Sequence, residues 1–91
     1  MPATLRNNPA RSRYEMDVEG RVALVHYKLA PGLITLWHSE VPSELEGRGV
    51  GTRLVLAVLE DVRRQGLKVS PTCSFVRAVM ARHPEYNDLL A

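Results

Sequence analysis

A glycine-rich loop between an extended segment and an amphipathic helix constrains this chain more than any other feature. Glycine occupies positions 47, 49 and 51, and apolar side chains recur at positions 54, 55, 58, 59 and 62. This spacing predicts a helix over 52–66 with one buried face. Glycines allow a tight turn with exposed N–H groups, and the helix N-terminus adds partial positive charge. The loop therefore predicts an anion site, usually one for phosphate.

Extended segments lie on both sides of this loop and helix. Apolar and β-branched patterns predict strands over 13–18, 21–29, 33–41 and 67–70, and a second helix over 74–83. The order predicts an α/β (α+β) fold with a mixed, mostly antiparallel four-stranded sheet and two main helices. The third strand, the first helix and the fourth strand form a β-α-β unit around the glycine loop.

Two finer expectations follow from the same patterns. Strict alternation along the third strand places Trp37, Ser39 and Val41 on one face, and His38 with Glu40 on the other. Residues 1–12 have no periodicity, so we expect them to form a flexible basic tail.

The composition disfavours several other classes of protein. The chain has 91 residues and a formal net charge of +2, but residues 14–91 hold nine basic and ten acidic residues. The basic excess thus lies in the N-terminal segment, which argues against a nucleic-acid-binding surface. No apolar run is long enough to span a membrane. A single cysteine forms no internal disulfide and no cysteine-rich metal site, so we expect one cytoplasmic domain without bound metal.

Two common nucleotide-binding motifs do not match the loop. A Walker A motif ends in Gly-Lys-Ser/Thr, whereas Gly51 is followed directly by Thr52. A dinucleotide fingerprint that starts at Gly47 needs glycine at position 52, and one that starts at Gly49 needs glycine at position 54. Those positions are threonine and leucine. The phosphate is therefore expected to belong to another kind of ligand.

The loop resembles the pyrophosphate-binding signature of the GNAT superfamily of acetyl-CoA-dependent N-acetyltransferases. That signature is Gln or Arg, two variable residues, Gly, one variable residue, then Gly or Ala, and it reads here from Glu46 to Gly51. The first position is Glu instead of Gln or Arg. The resemblance extends to small single-domain GNAT-like proteins of the YjdJ type, through APGLITLWHSEVP, EGRGVGTRLV, GLKVSPTCSFV and RHPEY. It implies a minimal GNAT fold, with an acetyl-CoA-binding domain over 13–91.

The resemblance also implies where acetyl-CoA binds. The pantetheine arm would lie between two splayed strands, against the backbone of Val41. The diphosphate would lie over the loop and the first helical turn, at Gly47, Arg48, Gly49, Val50, Gly51 and Thr52. Arg48 is a candidate to offset the charge of Glu46, and Arg53 is near enough to the loop for a further phosphate contact.

Three residues are candidates for the chemistry of acetyl transfer. Cys73 begins a helix, a position that favours the thiolate, and the resemblance places it beside the acetyl group. It is either a covalent nucleophile or a small core residue that lines the cleft. His38 and Glu40 either take the proton of an amine or form a solvated polar pair. Many GNAT enzymes have a proton-donating tyrosine at the position of Met80, and Tyr86 lies further along the chain.

The sequence therefore favours an acetyl-CoA-dependent transferase that acts on an unidentified amine, which is a small molecule, a polyamine or a protein. Two alternatives stay open. One is a CoA-binding module with little catalysis, and the other is a protein-interaction domain that retains the fold. We expect a monomer or a weak dimer, with neither nucleic acid nor membrane among its partners.

Overall fold

A five-stranded sheet forms the centre of the computed structural model, which describes residues 4–91. The strands are Thr4–Asn8 (β1), Arg13–Val18 (β2), Arg21–Ala30 (β3), Leu33–Glu40 (β4) and Lys68–Pro71 (β5). They lie in sequence order, antiparallel from β1 to β4, and β5 pairs parallel with β4. The predicted α/β fold with a mixed, mostly antiparallel sheet is confirmed, with one strand more than expected.

Two α-helices, Val50–Arg64 (α1) and Ser74–Arg82 (α2), share one hydrophobic core with the sheet. α1 connects β4 to β5, which gives the predicted β-α-β unit. The predicted apolar stripe of α1 is fully buried, at Leu54, Val55, Val58, Leu59 and Val62. Short 3-10 turns lie at Pro9–Arg11, Ser43–Leu45 and Pro84–Leu89. The sheet face away from α1 and α2 is called the open face below.

The N-terminal segment differs from the expected flexible tail. β1 pairs antiparallel with β2 along its whole length. Leu5 of β1 packs against the core, while Arg6 pairs with Glu15 and Asp17 on β2. A strand that is held largely by polar contacts shows no apolar periodicity, which is why the sequence pattern predicted a tail. The expectation for residues 1–3 lies outside the described residues.

A β-bulge interrupts the pairing of β3 with β4. His26 on β3 lies opposite His38, but the next residue, Tyr27, lies opposite Leu36. Trp37 is therefore the extra residue in β4. An inserted residue of this kind shifts the alternation of side chains by one position.

The bulge changes which side chains of β4 share a face. In β3, His26 lies between the core residues Val25 and Tyr27, so its side chain points to the open face. Its ring stacks on that of Trp37, with 5.3 Å between the ring centroids. Ser39 and Val41 instead line a cavity on the helix side. The predicted grouping of Trp37 with Ser39 and Val41 is therefore wrong.

Candidate functional site

A cavity of about 420 Å³ lies between the end of β4 and the start of α1. Among the predicted cofactor residues, those that line it are Val41, Gly47, Gly49, Val50, Gly51 and Thr52. The lining is completed by Ser39, Leu45, Glu46 and Phe75. Arg48 and Arg53, which were also predicted to bind the cofactor, are not lining residues.

The three glycines of the loop serve two different purposes. Gly47 and Gly49 have positive φ angles of 76° and 74°, and a Cβ atom at either would have no neighbour within 4 Å. They are needed for backbone conformation, since side-chain residues rarely adopt this region. A Cβ atom at Gly51 would instead lie 2.8 Å from Phe75 Cζ and 3.3 Å from Val41 Cγ2. Gly51 therefore lets α1 approach the cavity wall closely.

The first turn of α1 presents unpaired backbone donors beside the cavity. Gly49 is the N-cap residue, and the Arg53 N–H donates to Gly49 O at 3.1 Å. In this geometry the N–H groups of Val50, Gly51 and Thr52 have no acceptor within the helix. These three residues line the cavity. Because a helix N-terminus carries a partial positive charge, this arrangement suits an anion.

Side-chain charge near the loop does not favour an anion in the same way. Glu46 is the one ionisable residue among the described lining residues. Arg48 pairs instead with Glu19 in the turn between β2 and β3, and this contact holds the pKa of Glu19 below its ordinary value. Attraction for an anion in the cavity therefore depends on backbone N–H groups.

The pairing of β4 with β5 ends before β4 does. Their last paired residues are Leu36 and Pro71. The N–H groups of Thr72 and Cys73 both donate to Leu36 O, at 3.1 and 3.0 Å. The chain then turns into α2, whereas β4 continues to Glu40. An opening therefore lies between the two strands, next to the cavity.

Cys73 stands at this opening, as the N-cap residue of α2. Its Sγ atom lies 3.5 Å from the Oγ atom of Ser39, which lines the cavity. Burial raises the pKa of the thiol, but the Ser39 hydroxyl and the nearby N–H groups of Val76, Phe75 and Ser39 together lower the pKa below its ordinary value. Cys73 is thus half-buried beside the cavity, with the pKa of its thiol lowered.

The other two predicted catalytic residues lie on the open face. His38 Nε2 is 3.1 Å from Glu40 Oε2, and both side chains are exposed. His26 Nε2 lies 4.0 Å from the same carboxylate oxygen. Ser39, between them in sequence, points to the cavity and contacts Cys73. The structure therefore places the three candidates on two sides of β4, with the opening between β4 and β5 next to them.

The two positions considered for a proton-donating tyrosine lie away from the cavity lining. Met80 is buried in the core. The Tyr86 hydroxyl donates to Glu60 Oε2 on α1 at 2.6 Å, and this contact, more than burial, raises the pKa of Tyr86 to about 12. Tyr86 is therefore engaged in fixing the C-terminal turn to α1.

Sequence reasoning missed part of the cavity wall. Leu45 is an apolar residue within the polar segment that follows β4, and this contrast was the available signal for it. Phe75 lies in the predicted second helix and was not singled out as a site residue, yet it is 38% exposed at the cavity. Its position depends on the close approach of Gly51, which periodicity does not reveal.

Two further observations bear on the kind of site. Among residues 4–91, no group of three or more His, Cys, Asp or Glu side chains is arranged to hold a metal ion. The same part of the chain contains no helix with the length and apolar character needed to cross a membrane.

Comparisons with known proteins show what the chain is similar to. Residues 13–89 match the family model of the GCN5-related N-acetyltransferases. The mouse protein NATD1 is 26% identical over 86 residues, covering 91% of this chain and 78% of its own length. Human NATD1 is also 26% identical over 86 residues and is covered to 76%.

A solved structure shares the fold. It is the NMR solution structure of a GCN5-like protein from Staphylococcus aureus, which superposes with a TM-score of 0.74 at 27% sequence identity. The match covers 97% of this chain and 87% of the other.

Proposed function

Because the chain belongs to the GCN5-related N-acetyltransferase family, we propose that it binds acetyl-CoA at the glycine loop and transfers the acetyl group to an amine. The observation that carries this proposal is the cavity at the N-terminus of α1, lined by three residues whose N–H groups have no helical acceptor. Its volume of about 420 Å³ is in the range of small-molecule sites.

The loop suits the diphosphate of this ligand. Neither Gly47 nor Gly49 carries a side chain that would cover the N–H groups. The N–H groups and the helix dipole would supply the attraction, as they do in other phosphate sites at helix N-termini. Glu46 opposes it, so its carboxylate would have to point towards solvent.

The opening between β4 and β5 suits the pantetheine arm. Beyond Leu36, the edge of β4 has no strand partner on the β5 side in the described chain. Backbone groups from there to Val41 would be available to the amides of the arm. A ligand placed this way would direct its thioester towards Ser39 and Cys73.

Acetyl-CoA supplies, when bound, an acetyl thioester as the activated acyl group. In a covalent route, the Cys73 sulfur bonds to the acetyl carbon as the donor C–S bond breaks, and the amine nitrogen then displaces that sulfur. In a direct route, the amine attacks the donor and Cys73 only lines the path. The lowered pKa of Cys73 and its contact with Ser39 favour the covalent route.

The amine must lose a proton, and His38 and Glu40 are proposed to accept it, directly or through water. Their side chains lie on the open face, on the strand that carries Ser39 on its other face. An amine that approaches the opening from the open face would meet them before it reaches the thioester.

Intact-protein mass spectrometry after incubation with acetyl-CoA tests the proposal. The covalent route predicts an added acetyl group on the wild-type protein and none on Cys73→Ala. A Cys73→Ala variant that still acetylates an amine without a protein adduct would favour the direct route. Absence of both an adduct and CoA binding would contradict the proposal as a whole.

A second candidate function is CoA binding with little catalysis. It is favoured by Met80, which cannot donate a proton, and by the engagement of the Tyr86 hydroxyl with Glu60. It predicts binding of CoA without thiol release across a broad panel of amines. A protein-interaction domain that retains only the fold would bind no CoA at all.

A further inference from the structure

Trp37 forms an aromatic cluster on the open face, outside the cavity. The β4 bulge turns its ring onto that face, where it stacks on His26 at 5.3 Å and on His38 at 5.7 Å between centroids. Trp37 remains 44% exposed. A large indole that is held by two stacked rings and left open to solvent is available to contact a ligand.

This cluster already holds a cation. Lys28 on β3 places its Nζ atom 5.7 Å from the centroid of the Trp37 ring. An ammonium group at this distance is attracted by the negative face of the ring. The exposed Glu40 carboxylate lies on the same face, bound to His38. An aromatic face together with a carboxylate is a combination that recognises cationic amines and does not recognise anions.

We propose that Trp37 and Glu40 bind the ammonium group of the acceptor, and that Lys28 is an internal competitor for the ring. The proposal rests on the proposed acetyl transfer and adds to it a binding site for the acceptor amine in the protonated form that it has in solution. The bound ammonium gives one proton to Glu40 or His38, and the neutral nitrogen then forms the C–N bond as the C–S bond of the acetyl thioester breaks. The nitrogen loses its second proton as the amide forms, and the released thiolate takes up that proton.

The location of the cluster agrees with this role. Trp37 and Glu40 flank the part of β4 that has left β5, and Ser39 within it contacts Cys73 on the other side of the strand. An amine bound on the open face would therefore lie at the opening that leads to the thioester near Ser39 and Cys73. A neutral alcohol of the same length lacks the charge that the ring attracts, and its hydroxyl is far too weak an acid to transfer a proton to the carboxylate.

The single tryptophan makes the site directly observable. The experiment is a titration of Trp37 fluorescence with 1,5-diaminopentane, and with 1-pentanol as the uncharged control, in the absence of CoA. We expect a saturable change with the amine and none with the alcohol. Lys28→Met should tighten amine binding about two- to fivefold, which is the range of an exposed cation–π contact. Glu40→Gln should weaken it.

Glu44→Gln is the matched control, since it removes an exposed carboxylate that pairs with Arg21 and lies outside the cluster. It should leave amine binding unchanged. Equal responses to amine and alcohol, or unchanged affinity in both Lys28→Met and Glu40→Gln, would overturn the ammonium site.

A parallel titration with CoA separates this site from the proposed function. Protein that binds CoA but not the amine keeps the proposed function and loses the acceptor site. Protein that binds the amine but no CoA overturns the assignment of the site to an acetyl acceptor.

Discussion

Arg48 in the glycine loop and Glu19 in the β2–β3 turn form a double ion-pair contact. Arg48 Nη1 lies 3.0 Å from Glu19 Oε1, and Nη2 contacts the other carboxylate oxygen. The pair joins the proposed diphosphate loop to the β2–β3 turn, which lies at the same end of the sheet as the end of β4. It also directs the positive charge of Arg48 to a carboxylate instead of the cavity.

Glu19→Gln is therefore expected to tighten CoA binding, by less than about tenfold. The substitution frees the Arg48 guanidinium for a phosphate group, and exposed ion pairs are weak enough to exchange partners. Isothermal titration measures the affinity. The gain should decrease at high salt, because exposed charges are screened.

A double-mutant cycle shows whether the gain acts through Arg48. In an Arg48→Gln background, Glu19→Gln should change the CoA affinity no more than Glu44→Gln does. If Glu19→Gln and Glu44→Gln tighten binding equally in the wild-type background, a general change in charge explains the gain and the specific contact has no role.

Gly51→Ala should weaken CoA binding by roughly tenfold with little change in stability. The new methyl group meets Phe75 and Val41 in the cavity wall. Because Phe75 is partly exposed, its ring can move, and alanine also favours the helix, so the free energy of unfolding should change by less than about 1 kcal/mol. Titration with CoA and urea unfolding measure the two effects.

Gly66→Ala gives the opposite pattern and serves as the control. Gly66 has a φ angle of 71° with open space around it, at the other end of α1. Alanine there should lower stability by about 1–2 kcal/mol and leave CoA affinity unchanged. Unchanged CoA affinity in Gly51→Ala would show that the Phe75 wall does not contact the ligand.

The pKa of Cys73 can be measured from the pH dependence of its alkylation by iodoacetamide. We expect the inflection of the folded protein to lie below that of the same cysteine in urea, since the Ser39 hydroxyl and nearby N–H groups outweigh burial. Ser39→Ala should move the inflection upwards. An inflection in Ser39→Ala at or below the wild-type value would show that the Ser39 hydroxyl does not lower the pKa of Cys73.

Glu15 on β2 links acid stability to the N-terminal strand. Glu15 is 4% exposed, and its carboxylate accepts hydrogen bonds from Arg6, Asn8 and Arg13. Together these bonds lower the pKa of Glu15 from 4.5 to about 2, and the bond from Arg13 has the largest effect. A carboxylate whose pKa is lower in the folded state stabilises the fold at pH values above its pKa in the unfolded state. This stabilisation is lost as the pH falls from about 4.5 to 2.

The free energy of unfolding of the wild type, relative to that of Glu15→Gln, should therefore decrease as the pH falls through this window, by at most about 3 kcal/mol. Urea unfolding at several pH values measures the difference. Parallel curves for the two proteins would contradict the role given to Glu15.

The sequence predicted the features that depend on local pattern. The stripe from Leu54 to Val62 gave α1 because a helical period needs only one buried face. The loop was located by Gly47, Gly49 and Gly51, since three alternate glycines between a strand and a helix indicate a tight turn with exposed N–H groups. The β-α-β unit followed from the order of these elements.

Other features depend on partners that are distant in sequence. β1 is held by Arg6 on Glu15, a contact that no period in residues 4–8 reveals. The bulge at Trp37 arises from the register between β3 and β4, so alternation within β4 alone assigned the wrong face. Arg48 was expected near the phosphates, since its actual partner, Glu19, is 29 residues away and the local sequence does not reveal this contact.

All of these proposals depend on binding of acetyl-CoA at the glycine loop and the N-terminus of α1. An amide-detected ¹H–¹⁵N NMR titration of the full chain with acetyl-CoA measures this binding residue by residue. We expect saturable shifts at Val50, Gly51 and Thr52, and at Ser39 and Val41 along the opening. Amides of the loop and first turn that stay unmoved at millimolar acetyl-CoA would contradict it.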